Sequence, residues 1–455
     1  MLDAITGAVK GAIAAAGGKA GLRAEGTALF AYGVRVGNAG LLFLLNVLLA
    51  RWLGEFEFGI YVLVWTWVLL LGLVSALGLG TGVLRFIPEY RTHGTIDRLR
   101  GVLFTSRIIV LAAATLLAVV GTAVVALLGG AAENVYFAPF LVGLVCLPFF
   151  ALTTVQDGIA RSYDWTDLAL LPPFLMRPVL LLVFMVVSMA AGFASTATTA
   201  LYCAIGATWL SAIAQYLLLQ RRLKGEVSRG PRAYEIPVWL RVSIPLLLVD
   251  GFYLLMVNTD VLALSLFVPP DQVGAYFAAA KLLALVSMVQ FAVSVASGHR
   301  FATFHSAGDQ HGLVAFIRSM SRWTFWPSLA AATTVVVLGL PLLWLFGESF
   351  MAAYPILFVL AVGIVARASI GPADRLLGVI GHQDAVARIY FFLFAINICL
   401  NLLLIPVFGI FGAATATALT LICESVLLNR EVRKRVGIDA FALARHVPRP
   451  EARHA

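Results

Sequence analysis

Charge is what this chain has least of. Only 12% of its 455 residues are Asp, Glu, Lys or Arg, against 61% hydrophobic, and the mean hydropathy is +0.96. A soluble globular domain carries about a quarter of its residues as charges, so that class is excluded. Cysteine is scarce as well. Cys146, Cys203, Cys399 and Cys423 lie inside apolar runs without CxxC spacing, which excludes a disulfide framework and leaves them as packing residues. The seven histidines fall in loops or the C-terminal tail, none spaced as a helical metal pair, so a metal centre has nothing to stand on. Walker-type GxxxxGKS/T, HExxH and GxSxG runs are missing, and no polar segment is long enough to house an enzyme domain. Asp164 and Asp167 form a DxxD that is found in metal-dependent sugar transferases; with no further acidic cluster beside it, a solvated loop is the reading taken.

What the chain has in abundance is long apolar runs. They stay continuous over about twenty residues, the length of a membrane helix, whereas barrel strands alternate over about ten. Twelve spans are expected: 27–52, 58–83, 102–128, 135–157, 168–191, 197–220, 237–266, 273–298, 314–346, 353–375, 387–406 and 409–429. The expected fold is an all-α polytopic membrane protein of two six-helix halves, residues 27–220 and 237–429, joined by a polar linker at 221–236. An even number of crossings per half makes the relation a parallel repeat about the membrane normal. Residues 1–26 precede the first span; Leu2, Ile5, Val9 and Ile13 recur at helical spacing, as in an interfacial helix, and no signal-peptide core is present. Residues 430–455 form a basic tail.

One stretch shows the internal order. From Leu53 to Arg91 the chain passes from an acidic turn (Gly54, Glu55, Glu57, Gly59) through an apolar helix to Arg85-Phe86-Ile87-Pro88-Glu89-Tyr90-Arg91. Its Gly78, Gly80 and Gly82 follow no strand and precede no Lys-Ser/Thr, so they read as small residues admitting a neighbouring helix rather than a phosphate loop. An offset of 215 carries Gly59 to Gly274, Tyr61 to Tyr276, Arg85 to Arg300, Phe86 to Phe301 and Arg107 to Arg322, the mark of a weak repeat. With the N-terminus inside, the cytoplasmic tails and loops hold 22 of the 32 Lys and Arg, while the opposite face keeps only Arg51 among Glu55, Glu57, Glu133, Asp271 and Glu348. Both termini are therefore expected in the cytoplasm of an inner-membrane protein. The net charge of +9 is spread over loops and the Arg430, Arg433, Lys434, Arg435 cluster, which suits anionic lipid and not nucleic acid.

Ionisable groups deep in a bilayer are functional candidates unless they reach an interface. Arg107, Arg318 and Arg322 stand near cytoplasmic ends and are expected to snorkel; Glu424 lies about two turns from such an end. Arg35, Arg177, Asp250, Asp260, Lys281 and Arg367 are deeper. Arg35 and Asp250 share the 215 offset, so an ion pair between them is reasonable, whether for transport or merely to lock the halves. Arg177 stands among Pro172, Pro173 and Pro178, which kink a helix and free carbonyls beside a charge. Four cations against two carboxylates make a net positive lumen that suits a pyrophosphate. Asp250 and Asp260 are the candidates for carrying a proton or sodium ion.

The run Ala50 to Tyr90 resembles the opening of the polysaccharide-biosynthesis flippases of the multidrug/oligosaccharidyl-lipid/polysaccharide (MOP) exporter superfamily. The likeness rests on Leu53, Gly54, Phe58, Gly59, Tyr61, Leu77 to Gly80, Arg85, Phe86, Pro88, Glu89 and Tyr90. It implies a MATE-like V-shaped transporter that moves undecaprenyl-pyrophosphate-linked oligosaccharide to the outer leaflet by alternating access, coupled to a cation gradient. It implies no cofactor, and as partners the lipid-linked oligosaccharide, membrane lipids and the polymerase and glycosyltransferases of the pathway. Lumenal arginines of that family bind the lipid pyrophosphate, and Arg35 and Lys281 match that kind of position; Arg177 and Arg367 rest on charge alone. The alternatives are a drug or cation antiporter of the same superfamily, which should show an acidic lumen, and a membrane polymerase or transferase, which should show a long outer loop or an Asp-rich site.

The charge asymmetry is testable. In a cysteine-free background, Ser228→Cys should escape a membrane-impermeant thiol reagent applied to intact cells while Glu348→Cys reacts; labelling at position 228 would reverse the orientation.

Overall fold

The computed structural model describes residues 19–128, 134–307 and 309–444. Most of the expected N-terminal interfacial segment, Glu133 and the end of the basic tail lie outside them. Among the described residues all regular structure is helical. The helices are α1 (Lys19–Ser75), α2 (Leu79–Thr92), α3 (Ile96–Leu128), α4 (Phe137–Val145), α5 (Leu147–Ser162), α6 (Thr166–Leu170), α7 (Arg177–Ala190) and α8 (Ala197–Glu226), then α9 (Ile236–Phe267), α10 (Pro270–Ser306), α11 (Gln310–Val337), α12 (Gly339–Trp344), α13 (Tyr354–Ala368), α14 (Ala373–Val379), α15 (Gln383–Phe408) and α16 (Ile410–Val436). A π turn, Leu171–Met176, joins α6 to α7, and a 3-10 turn, Ser349–Ala353, precedes α13.

Among the described residues nine helices are long and apolar enough to cross a membrane, or ten if the pair Ile236–Phe252 and Leu254–Phe267, bent by 49°, is one span. The first two expected spans fall in one 60-residue run, Gly33–Thr92, which at 1.5 Å per residue far exceeds a hydrocarbon core of about 30 Å. It is interrupted at Gly54 (φ 78°) and again at Leu77 (φ 51°) and Gly78 (φ 69°), positive-φ conformations that the two glycines adopt without a Cβ clash and Leu77 adopts against its side-chain preference. The expected ninth span, 314–346, is divided between α11 and α12 at Leu338 and is not among the nine. Several helices outrun their expected spans at one end, α3 beginning at Ile96 and α8 ending at Glu226, because a helix that has left the hydrocarbon needs no further apolar residues to continue.

The chain forms two compact units, one of residues up to Leu53 with Ile60–Leu255, the other of Gly54–Gly59 with the residues from Met256 on. The division falls inside α9 and not in the linker, because the linker is tied to the first unit. Arg100 Nε donates to the Ser228 carbonyl at 2.7 Å and its Nη2 to Ser228 Oγ at 2.9 Å, while the Ala233 N–H donates to the Asp97 carbonyl at 3.0 Å. Tyr90 donates to Glu235 Oε2 at 3.0 Å and accepts from Trp239 Nε1 at 2.9 Å, and Arg98 pairs with Glu235 at 3.2 Å. Trp239 is fully buried.

Helix contact in this unit depends on small residues. A Cβ on Gly158 would stand 2.0 Å from the Gly80 carbonyl oxygen, one on Gly78 2.0 Å from the Ser243 carbonyl and one on Gly82 2.1 Å from Ser243 Oγ. The three glycines of the sequence motif thus admit α5 and α9, as close packing without a hydrophobic drive between helices requires. In the second unit the glycines related by the 215 offset face each other: a Cβ on either Gly59 or Gly274 would stand 3.1 Å from the other's amide nitrogen. Beside them Phe58 meets Phe277 at 6.0 Å and Phe350 at 5.9 Å, edge to face. Past Gly437 the chain turns back over the end of this unit, the Ala440 N–H donating to Asn429 Oδ1 at 2.8 Å and the Ala442 N–H to the Ser369 carbonyl at 2.7 Å.

Gly158→Val should lower the thermal stability of the detergent-solubilised protein by about 1–3 kcal/mol, the range of overpacking changes, because its neighbour is backbone and cannot turn aside. Gly94→Val, at a position with nothing within 4 Å but a positive φ, should act through strain alone. Equal midpoints for wild type and Gly158→Val would contradict the close α2–α5 approach.

Candidate functional site

Arg177 is delivered by an irregular piece of backbone. Pro172 and Pro173 bring no N–H to the helix that α6 begins, and the chain widens into the π turn before α7 resumes at Arg177. The Leu168 carbonyl, which Pro172 leaves without its N–H, accepts from Gln215 Nε2 on α8 at 2.9 Å, and the Pro172 carbonyl, bonded to the Arg177 N–H, also accepts from Ser211 Oγ at 2.8 Å. Ser211 and Gln215 are themselves buried. The guanidinium carbon lies 5.3 Å from the Phe150 ring centre and 5.8 Å from that of Trp65. Trp65 and Phe150 meet edge to face at 6.1 Å, and Tyr61 stacks on Trp65 at 6.2 Å. Tyr61 and Cys146 are the titratable groups that act on this cation; no carboxylate among the described residues pairs with it. The two rings lie within cation–π range of the guanidinium.

Arg35 is exposed on α1 and is attracted to Asp157 on α5. Asp157 also takes Arg161, Nε at 3.1 Å and Nη2 at 2.5 Å, in a bidentate pair one helical turn apart. Asp250, the expected ion-pair partner of Arg35, is exposed and accepts from Thr81 Oγ1 at 3.0 Å.

In the second unit Lys281 and Asp260 come together. Tyr276 donates to Asp260 Oδ2 at 2.5 Å, the Val261 N–H donates to Oδ1 at 3.0 Å, and Thr417 Oγ1 lies 3.5 Å from the tyrosine oxygen. Lys281 is attracted to the same carboxylate and sits 4.6 Å from the Phe277 ring centre. Arg367 stands in a separate cluster. Its Nε donates to Glu424, its Nη1 to the Gly371 carbonyl at 3.1 Å and its Nη2 to Asp374 at 3.2 Å, while Tyr390 donates to Glu424 at 3.3 Å. This cation is therefore more than neutralised inside the protein. It is not an open anion ligand, against the expectation drawn from its depth alone.

Asp157, Tyr276 and the Trp65–Phe150 cage are the partners that sequence reasoning missed. The spacing of Asp157 and Arg161 at four residues was visible; the cage was not, since 30 phenylalanines leave no signal in any one. The DxxD resolves into structure: Asp164 occupies a left-handed turn with φ 58°, and Asp167 is held by Arg222 at 3.0 and 2.5 Å. Among the described residues no three His, Cys, Asp or Glu side chains converge as a metal site.

The model of the polysaccharide biosynthesis protein family matches residues 27–297. Among curated relatives, the probable flippase AglR of Haloferax volcanii is 30% identical over 188 residues, 39% of this chain and 38% of that protein. The probable low-salt glycan biosynthesis flippase Agl15 of the same organism is 26% identical over 169 residues, 37% of this chain and 36% of that protein. The chain thus spans little more than a third of the length of the curated relatives it matches. Among solved structures, an inward-facing multidrug resistance MATE family transporter of the MOP superfamily superposes with a TM-score of 0.73 at 16% identity, over 88% of this chain and 94% of that one. The lipid II flippase MurJ, inward closed, superposes with a TM-score of 0.69 at 16% identity, over 89% of this chain and 87% of that one. A MOP superfamily transporter from Pyrococcus furiosus, described as having a binding pocket of reversed polarity, gives a TM-score of 0.62 at 14% identity, over 91% and 96%. At such identities the likeness is one of fold. With the family match covering 27–297, more than half of 455 residues, this multi-pass membrane chain belongs to the polysaccharide biosynthesis protein family and has the fold of the MOP superfamily.

Proposed function

We propose that the protein is a flippase that carries undecaprenyl-pyrophosphate-linked oligosaccharide from the cytoplasmic to the outer leaflet of the inner membrane by alternating access. It performs no bond chemistry, and the polymerase and glycosyltransferases of the same surface-glycan pathway are its partners. The observation that carries this reading is Arg177, a guanidinium within the membrane-spanning part that is caged by aromatic rings and has no carboxylate partner among the described residues. A cation so placed favours an anion crossing hydrocarbon, and a pyrophosphate with several acceptor oxygens meets its fork bidentately. The family match and the two curated relatives named as flippases support the coarser part of this reading, a flippase of glycan precursors. Arg35 in the first unit and Lys281 in the second belong to the reading as cations that the diphosphate meets within each unit, each near a carboxylate, Asp157 and Asp260. Arg367 serves as a fixed link between α13, α14 and α16.

Arg177→Ala, and separately the pair Arg35→Ala with Lys281→Ala, should reduce surface glycan roughly tenfold or more, the consequence of losing about 1.4 kcal/mol of anion binding. Lipid-linked oligosaccharide should accumulate in the cytoplasmic leaflet at unchanged protein level. Arg177→Lys should keep part of the activity, since a point charge survives without the fork. Normal surface glycan in all of these at normal expression would sink the cationic path, and loss of drug resistance with glycan intact would establish the antiporter.

In the same reading Asp260 carries the coupling ion. It lies between a tyrosine hydroxyl and an ammonium, so gain or loss of a cation at its carboxylate changes the charge that Lys281 faces. Asp260→Asn should abolish the response of transport to collapse of the proton or sodium gradient, whereas Asp250→Asn, at an exposed carboxylate bonded to Thr81, should retain it. A normal gradient response in Asp260→Asn would place coupling elsewhere.

A further inference from the structure

Arg107 on α3 is expected to snorkel, yet the residue is only 6% exposed, with its guanidinium carbon 5.3 Å from the Tyr216 ring centre. The cation that does stand on the surface of this helix comes from the linker. Arg232 is exposed, and its guanidinium carbon lies 4.0 Å from the ring centre of Phe104, an exposed residue of α3. In the same unit Arg85, Arg91, Arg98, Arg161 and Arg222 each pair with a carboxylate at distances between 2.5 and 3.8 Å. Arg232 has no such partner among the described residues and donates no hydrogen bond to them; its one contact is the ring.

The backbone that carries Arg232 is held on both sides. Arg100 of α3 takes the Ser228 carbonyl and hydroxyl and, through Nη1 at 3.2 Å, the Pro231 carbonyl, while the Ala233 N–H donates to the Asp97 carbonyl. A Cβ on Gly101 would stand 1.8 Å from the Ala233 carbonyl oxygen, so the linker lies against α3 with no room for a side chain between them. Pro231 and Ala233 are thus both attached, and a ligand of Arg232 has only one side chain left to order.

Phe104 also begins the outward apolar stripe of α3. Phe104, Ile108, Ala112 and Leu116 follow one another a turn apart and are all exposed, on a helix whose apolar length is little buried. Ahead of them the helix carries Asp97, Arg98 and Arg100. From position 104 to 116 the stripe runs about 18 Å, against about 15 Å for half of a hydrocarbon core. It therefore matches one leaflet in length, and the unpaired cation stands at its polar end, the level of the lipid headgroups.

We propose that Arg232 and Phe104 form a binding site for one anionic phospholipid, its phosphate received by the Arg232 guanidinium and an acyl chain laid along Phe104, Ile108, Ala112 and Leu116. A zwitterionic lipid brings its own cation beside the phosphate and gains no net attraction from Arg232, so the site selects by headgroup charge. The bound lipid holds the joint between the linker and α3 at the membrane surface. It is a resident partner, distinct from the diphosphate assigned to Arg177.

The test titrates the full-length protein in neutral detergent with phosphatidylglycerol and counts bound lipids by native mass spectrometry. Wild type should take up one phosphatidylglycerol ahead of the others and prefer it to phosphatidylcholine. Arg232→Gln should weaken that first step roughly fivefold, the worth of one basic residue at an anionic surface, and Arg232→Lys should restore most of it. Phe104→Leu, which keeps the stripe and removes the ring beneath the cation, should weaken it about twofold, and carries the test should Arg232→Gln fail to fold. Arg229→Gln, at an exposed linker arginine without a ring contact, should leave it unchanged. An undiminished first step in Arg232→Gln overturns the proposal, as does an equal loss in Arg229→Gln, which would show diffuse surface charge. Equal uptake of phosphatidylcholine, or release of the lipid by inorganic phosphate, overturns it too.

Discussion

A guanidinium or ammonium taken from water into a low-dielectric interior loses hydration worth several kcal/mol even after the surroundings relax. Each such group in a membrane protein must therefore be met by a carboxylate, by dipoles and rings, or by something brought from outside. The cations of this chain divide along that line. Arg367 is met twice over, by Glu424 and Asp374. Lys281 shares Asp260 with Tyr276. Arg177 has rings on its faces and no carboxylate among the described residues, and Arg107 has a ring and an unfilled edge. Depth alone put Arg177 and Arg367 in one class; their partners put them in opposite ones, the first with rings and no carboxylate among the described residues, the second with two carboxylates.

The backbone obeys the same constraint. A proline inside an apolar helix leaves the carbonyl four residues back without its N–H, and here Gln215 on α8 supplies the donor to Leu168 while Ser211 adds one to Pro172. The irregular turn is tolerated because α8 carries buried polar side chains at matching heights. Its consequence is local and functional, since the turn ends at Arg177 and sets where that side chain enters the aromatic cage. Glycines act in the complementary way, removing side chains where α2 meets α5 and α9 so that backbones approach to contact.

Much of the fold was legible because the bilayer imposes a length on every apolar run. The all-helical class, most spans and the packing use of Gly78, Gly80 and Gly82 came from that length and from small-residue spacing. Helix ends were less legible, as α3 and α8 continue into polar sequence where no apolar signal marks them. The 60-residue run Gly33–Thr92 shows the converse, because its breaks depend on backbone angles at Gly54, Leu77 and Gly78 that composition does not encode. For the site, the sequence placed the charged residues at depth and could not pair them. Glu424 stands 57 residues from Arg367, and Asp260 stands 16 from Tyr276 across the α9–α10 turn. Only the helix packing settles which charge meets which. Arg107 was misread for the same reason: the rule that a long side chain near a helix end reaches the interface takes no account of a neighbouring helix lying over it.

The residues that carry the family likeness and those that carry the proposed substrate are different residues, and this bears on how far the family match reaches. Tyr90 and Glu89 of the RF-x-PEY run stand at the end of α2, where Tyr90 ties Glu235 and Trp239 to the first unit. Gly59 of the acidic turn packs against Pro270 and Gly274. Both features hold together chain segments that are distant in sequence. Arg177, with Trp65 and Phe150, contributes nothing to those joints and gains no internal carboxylate. A buried charge left without a counter-ion is destabilising in the resting protein, and the ligand that offsets it is selected by sign before shape. In the first unit a membrane-embedded charge without a carboxylate partner among the described residues is positive, the sign that the proposed anionic substrate requires.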